Sequence, residues 1–181
     1  RVFTLMLCGT CATEADTYEH VASLGELFAK DKDQLQMDSW LIHDGPGSGN
    51  RSEDFSKFIF PEVVEPYPYS AARGIATGAG TDETLQNAIA VIKAAHQDSE
   101  KGPITQINIV GRSRGAYNGI RVANKLYKDE ALKDVPVNIM AFDPVPGAGN
   151  HGRRCKLLKP NVREYHSLIS LNEHSAGFTP I

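Results

Sequence analysis

Ile107-Asn108-Ile109-Val110-Gly111-Arg112-Ser113-Arg114-Gly115-Ala116 decides how this chain is read. An apolar, β-branched run ends in G-x-S-x-G, and a helical pattern begins at once. This is the signature of a strand, a tight turn and a helix, with a serine at the turn: a nucleophile elbow. Glycines flank the serine because a Cβ two residues away would collide in so sharp a turn. The turn lifts the hydroxyl above the sheet edge and sets it at a helix N-terminus, where backbone N–H groups can stabilise an oxyanion. The alternative is a Gly-rich strand-to-helix turn in which Ser113 serves only as an N-cap.

Composition narrows the surroundings of that turn. The chain has 181 residues, 41% hydrophobic and 23% charged, which suits one soluble α/β domain with a real core. A net charge of −3 gives no electrostatic reason to expect nucleic acid or an anionic membrane surface. No apolar run approaches the length of a transmembrane span. The sequence opens at Arg1 with no start methionine and no signal peptide, so it reads as a processed or trimmed piece. Cys8, Cys11 and Cys155 make no disulfide framework, and Cys8-Gly9-Thr10-Cys11 lacks the further ligands of a zinc site.

Outward from the elbow, strands and helices alternate. Val2 to Leu7 and Ser39 to His43 are short apolar runs, read as buried strands. Between them Asp16-Thr17-Tyr18-Glu19 looks like a capping box, followed at helical spacing by Tyr18, Val21, Ala22, Leu24, Leu27 and Phe28 to about Lys30. Asp44-Gly45-Pro46-Gly47-Ser48-Gly49-Asn50 ends the second strand sharply. Arg51 to Gly80 is the least regular stretch. Its Phe55, Phe58, Phe60, Tyr67 and Tyr69, broken by prolines, suit a lid, the wall of an apolar pocket or an extended segment on the core. Thr81 caps an amphipathic helix with Leu85, Ala88, Ile89, Ile92 and Ala95 on one face. Ile104 to Val110 is the elbow strand, Ala116 to Lys128 the helix behind it, Val135 to Phe142 the next strand and Tyr165 to Leu171 the last. The alternation predicts an α/β fold over residues 1–181: a mainly parallel sheet with helices on both faces, α/β-hydrolase-like at the elbow.

The partners of Ser113 follow from order along the chain. In α/β-hydrolases the triad runs serine, acid, histidine. Asp143 is the first polar residue after the strand that follows the elbow helix, so it falls at the same sheet edge as Ser113. There it can hold a histidine tautomer and stabilise its imidazolium, or else simply form an Asx turn before Pro144. His174, just past the last apparent strand in Asn172-Glu173-His174-Ser175, is the best-placed base. His20 and His96 read as surface residues, His43 as a site-lining candidate out of order, His151 as too close to Asp143, and His166 as a packed strand residue. The oxyanion donors are the N–H of Arg114 and the loop of Gly9 and Thr10, with Gly9 letting backbone approach the substrate. Arg112 and Arg114 are candidates for attracting a phosphate head group, or are solvated or paired.

Taken together, these stretches resemble a bacterial α/β-hydrolase family that includes phospholipase effectors exported by type VI secretion and related effector proteins. The matched motifs are Cys8-Gly9-Thr10 after the first strand, Asp44-Gly45-Pro46-Gly47 after the second, and Thr77-Gly78-Ala79-Gly80 before the central helix. Gly111 to Ala116 matches the G-x-S-R-G-A elbow, Phe142-Asp143-Pro144-Val145 the acid motif, and His166 through Pro180 a later segment. The resemblance implies an esterase or lipase acting on a lipid or phospholipid, with Ser113 and Asp143 in the triad. It also implies transient contact with a membrane surface and export as an effector. Two departures stand out. Cys8 replaces the usual Asp, and the family's catalytic histidine lies on a further strand beyond the F-x-P segment, past Ile181. Either the third member lies outside this sequence, or His174 takes its place.

The sequence therefore predicts a serine hydrolase of acyl esters, built on Ser113, Asp143 and His174, that needs no cofactor and no metal. One rival is a hydrolase-shaped binding module without a competent base. Another is a nucleotide-binding protein, disfavoured because no Gly-rich stretch carries the P-loop lysine or the full G-x-G-x-x-G spacing.

Overall fold

The computed structural model describes residues 1–16, 18–31, 39–49, 61–64, 71–147 and 157–171. In chain order the elements are β1 (Val2–Leu7), α1 (His20–Asp31), β2 (Ser39–His43), a 3₁₀ turn (Pro61–Val63), α2 (Ala71–Thr77), α3 (Thr81–Gln97), β3 (Gln106–Arg112), α4 (Arg114–Leu126), β4 (Val137–Phe142) and β5 (Val162–Leu168). The strands form one sheet in the order β2-β1-β3-β4-β5. Every neighbouring pair is parallel. The fold is α/β, as the alternation of elements predicts.

Burial explains why the pattern folds this way. β1 is apolar along its length and buried on both faces, as an interior strand of a covered sheet must be. Phe3, Leu5 and Leu7 of β1, Ile107 and Ile109 of β3, and Val137, Ile139 and Ala141 of β4 point to one face. There they meet Leu85, Ala88 and Ile92 of α3 and Ala116, Ile120 and Ala123 of α4. Met6, Cys8 and Ile42 point the other way, onto Val21 and Ala22 of α1. Gly25 lets α1 settle on β2, since a Cβ there would lie 2.6 Å from the Ile42 Cδ1. The chain leaves β1 towards β2 on one side and returns to β3 on the other. The sheet thus reverses its winding between β1 and β3, which is where open α/β sheets form ligand crevices at the C-terminal strand ends.

Several expectations need correction. α1 starts at His20, not at Tyr18. The carboxylate of Glu19 caps it, with Oε2 accepting from the N–H of Val21 at 2.7 Å and of Ala22 at 2.8 Å. Asp16 turns back instead, its Oδ2 accepting from the N–H of Thr13 at 2.7 Å and the Thr13 hydroxyl at 2.9 Å; Thr17 is outside the described residues. Tyr18 and Leu27 are exposed, so the apolar stripe of α1 is narrower than its spacing suggested. Thr81 does not cap α3: Gly80, at φ 93°, holds the N-cap position, and the Thr81 hydroxyl donates to the Gly78 carbonyl.

The stretch read as irregular contains α2, whose small residues carry no apolar period. Of its apolar residues, Val64 is buried in the core, while Phe55, Phe58, Phe60, Tyr67 and Tyr69 lie outside the described residues. β5 runs from Val162 to Leu168, about three residues earlier than expected. Its start is pinned by the Asn161 side-chain amide, which donates to the Ala123 carbonyl at 3.0 Å. His166, expected to be packed, is exposed on β5 with Nε2 3.5 Å from Glu164 Oε2, because α1 packs on β1 and β3 rather than on this edge.

Candidate active site

β3 ends at Arg112 and α4 begins at Arg114, so one residue makes the whole strand-to-helix turn. Ser113 does so at φ 53° and ψ −120°, a conformation that costs a non-glycine residue on the order of 1–3 kcal/mol. The surroundings impose it. The Ser113 N–H donates to the Phe142 carbonyl at 2.8 Å, and its own carbonyl accepts from the N–H groups of Tyr117 at 3.1 Å and Val145 at 3.2 Å. A Cβ at Gly111 would stand 2.6 Å from the Ala116 nitrogen, and one at Gly115 would overlap the Leu7 carbonyl. These two glycines are required by packing. The Ser113 hydroxyl makes no capping hydrogen bond, so an N-cap role does not account for it.

Gly9 differs in kind. A Cβ there would lie 3.5 Å from the Arg112 carbonyl oxygen, 3.7 Å from Arg112 Nη1 and 3.7 Å from Ser113 Cβ, all ordinary contacts. An alanine would therefore fit at Gly9 without a clash, its methyl group touching Arg112 and Ser113. The loop is held rigidly all the same. Ala12 N–H donates to Gly9 O at 3.0 Å, Cys11 N–H to Pro46 O at 2.9 Å, and Gly45 N–H to Ala12 O at 2.8 Å. Asp44, fully buried, accepts from the Glu14 N–H at 2.6 Å and joins the loop after β2 to the loop after β1. The N–H groups of Gly9 and Thr10 have no acceptor among the described residues. The loop thus lies next to Ser113 with two backbone N–H groups unused among the described residues.

Asp143 reaches the same edge. The residue has φ 44°, tolerable for an Asp in a turn, and its N–H donates to the Leu168 carbonyl at 2.8 Å. Its Oδ1 accepts from the Ser170 N–H, while Oδ2 has no hydrogen bond among the described residues. One carboxylate oxygen is therefore anchored and the other is available to an imidazole. The Val145-to-Ser113 hydrogen bond folds the Asp143 turn across the end of β3.

The two arginines flanking the serine have different roles. Arg114 is 3% exposed, and its Nη1 donates to the Gly74 carbonyl of α2. Gly147, at φ 78°, lies directly against the guanidinium, where a Cβ would overlap it. Burial lowers the Arg114 pKa, and the nearby Cys11 partly opposes that shift. Its side chain clamps α2 and the loop after β4 to the elbow, which corrects its candidacy for a head group. Sequence reasoning missed this clamp, because its glycine partners lie 40 and 33 residues away along the chain. Arg112 is half-buried on the α1 side, and no hydrogen bond or ion pair holds its guanidinium among the described residues.

The histidines are dispersed. His43 is fully buried. Its Nδ1 lies 3.0 Å from the Asp44 carbonyl, which assigns the proton to Nδ1, and Nε2 faces the Asn87 amide nitrogen at 3.5 Å. It joins β2 to α3 rather than lining a site. His20 stacks on Phe142 with ring centroids 5.7 Å apart. His96 is in the last turn of α3, and His166 is on β5. His151 and His174 lie outside the described residues. Among the described residues no group of three or more His, Cys, Asp or Glu side chains is placed to hold a metal ion, and no helix is long and apolar enough to cross a membrane.

No family model matches this chain, and no curated protein matches it. What the site can do must be argued from its own residues. It offers a strained serine, a neighbouring loop with unused backbone N–H groups and a half-anchored carboxylate at one sheet edge.

Proposed function

We propose that this chain is a serine hydrolase acting on acyl esters. The observation that carries this reading is Ser113 at φ 53°, ψ −120°, making the whole strand-to-helix turn next to the Gly9 loop. In this reading the Ser113 oxygen attacks the ester carbonyl and a histidine takes the hydroxyl proton. The oxyanion accepts from the N–H groups of Arg114, Gly9 and Thr10. The histidine then returns the proton to the departing alcohol, and water repeats the sequence on the acyl-enzyme. Asp143 orients that histidine through its unanchored oxygen. His174 is the preferred base: four peptide units from Ser170, which Asp143 anchors, span at most about 14 Å. A lipid or phospholipid substrate follows from the resemblance of the elbow, acid and loop motifs to the effector phospholipases. Leu168, Ile169 and Leu171, exposed next to the Asp143 anchor, suit an acyl chain or a lipid surface.

The test is covalent labelling with a fluorophosphonate. Wild-type protein should carry one adduct on Ser113, and Ser113→Ala should carry none and lose ester hydrolysis by on the order of 10⁶. A folded wild-type sample that takes no label would overturn the reading. It would favour the second one, a hydrolase-shaped binding module. The observation behind that alternative is that none of His20, His43, His96 and His166 contacts Ser113 or Asp143.

A further inference from the structure

α3 and α4 pack side by side on one face of the sheet, and their outer surfaces leave a groove of about 580 Å³ between them. Small-molecule sites fall in the same range, roughly 300–1,000 Å³. The apolar floor is Leu85 and Ile89 of α3 and Leu126 of α4. The groove lies towards the far end of α4 from Ser113, with Lys125 about 18 Å along the helix axis from the turn. Two ion pairs cross it. Asp82, in the first turn of α3, holds Arg121 of α4, and Lys93 of α3 holds Asp129, just past α4, at 2.6 Å. They dam the groove at its two ends, so it fits a compact molecule and not a helix or strand running through.

The dams also use up the negative charge of the groove. Four cations and two carboxylates line it, and both carboxylates, Asp82 and Asp129, are already paired. Lys125 and Lys128 have no ion pair among the described residues, and both line the groove with its apolar floor. In a chain whose net charge is −3, this surplus of positive charge is a local feature. An ammonium beside apolar surface attracts an anion, and the apolar part of the same molecule gains by covering that surface. We propose that the α3–α4 groove binds a small organic anion, with its charged group on Lys125 and Lys128 and its apolar body over Ile89 and Leu126. The site is separate from Ser113 and does not depend on the hydrolase reading.

The test uses the full chain and two probes of one shape, naphthalene-2-carboxylate and the neutral naphthalene-2-methanol. Titrations are followed by backbone amide chemical shifts in wild type, in the double variant Lys125→Gln/Lys128→Gln and in the remote surface variant Arg163→Gln. The carboxylate should bind wild type with a Kd of about 1 mM or tighter, the scale for a ligand of this size. The shifts should centre on Leu85, Ile89, Lys125 and Leu126, with the amides of Gly111 to Ala116 unmoved. Binding should be about fivefold weaker for the neutral probe and about fivefold weaker in the double variant, and Arg163→Gln should match wild type. Both lysines are exposed, so the double variant should keep the unfolding curve of wild type. No saturable shift at the groove, shifts centred on the β3–α4 turn instead, equal binding of the two probes, or equal binding to the double variant each overturns the proposal.

Discussion

The face of the sheet that carries α3 and α4 and the face that carries α1 treat the residues around Ser113 in opposite ways. On the first, a continuous apolar cluster runs from Phe3 to Ala141, and Arg114 is locked to α2. On the second, a small cluster under α1 gives way to half-buried strand positions, and Arg112 has no hydrogen bond or ion pair among the described residues. The strained turn needs the rigid side to hold it, because a conformation of this kind persists only where the surroundings over-determine it. The two sides of the turn therefore differ in how tightly they are held, and the glycines around it divide in the same way: a Cβ clashes at Gly115 and fits at Gly9.

Substituting those glycines is the strongest way to break the comparison. Gly115→Ala drives a methyl group into the Leu7 carbonyl, and neither the strand nor the helix can yield cheaply. The expected loss in a urea unfolding curve is about 3 kcal/mol or more. Gly9→Ala should leave stability within about 1 kcal/mol, since its Cβ meets only ordinary contacts. It should instead reduce the rate of Ser113 labelling by up to about 10²-fold, because the added methyl group stands beside Ser113 and displaces the reacting group. Equal destabilisation by the two substitutions would remove the distinction between a packing glycine and a substrate glycine.

The smallest effect lies on the outside of the rigid layer. Lys93 of α3 holds Asp129 at 2.6 Å, and that hydrogen bond lowers the Asp129 pKa, partly opposed by desolvation. A carboxylate with a lowered folded pKa stabilises above its ordinary value and loses that stabilisation as the pH falls through the lowered one. Asp129→Asn should therefore cost at most about 1 kcal/mol near neutral pH, with the gap to wild type closing below about pH 4. Parallel unfolding curves at several pH values check this.

What was legible in the sequence shares a property with the rigid face: it is set by local sterics. The requirement for Gly111, whose Cβ would meet Ala116, and the apolar strand of Ile107 and Ile109 are both encoded within a few residues, whereas Gly115 answers to the distant Leu7 carbonyl. The sheet edge shared by Ser113 and Asp143 follows from strand order alone. What differed arose either from distant partners or from local backbone geometry that residue type does not reveal. Arg114 looks like any surface arginine until Gly74 and Gly147 close on it. Thr81 has the residue type of an N-cap, yet Gly80 takes that position and the hydroxyl bonds backwards. Glu19 reads as the far end of a capping box and is the cap itself. His166 lies in an apolar-looking run whose outer face no helix among the described residues covers. Tertiary context decided Arg114 and His166, and the local turn geometry decided Thr81 and Glu19.

The torsion angles of Ser113 set a trade between endurance and turnover. A glycine accepts that backbone geometry without strain, so Ser113→Gly should unfold at a higher temperature than Ser113→Ala, by on the order of 1 kcal/mol after the extra freedom of an unfolded glycine is subtracted. Selection for durability alone would thus erode the hydroxyl. Its persistence in so uncomfortable a posture would mark a lineage in which reactivity outweighed resilience.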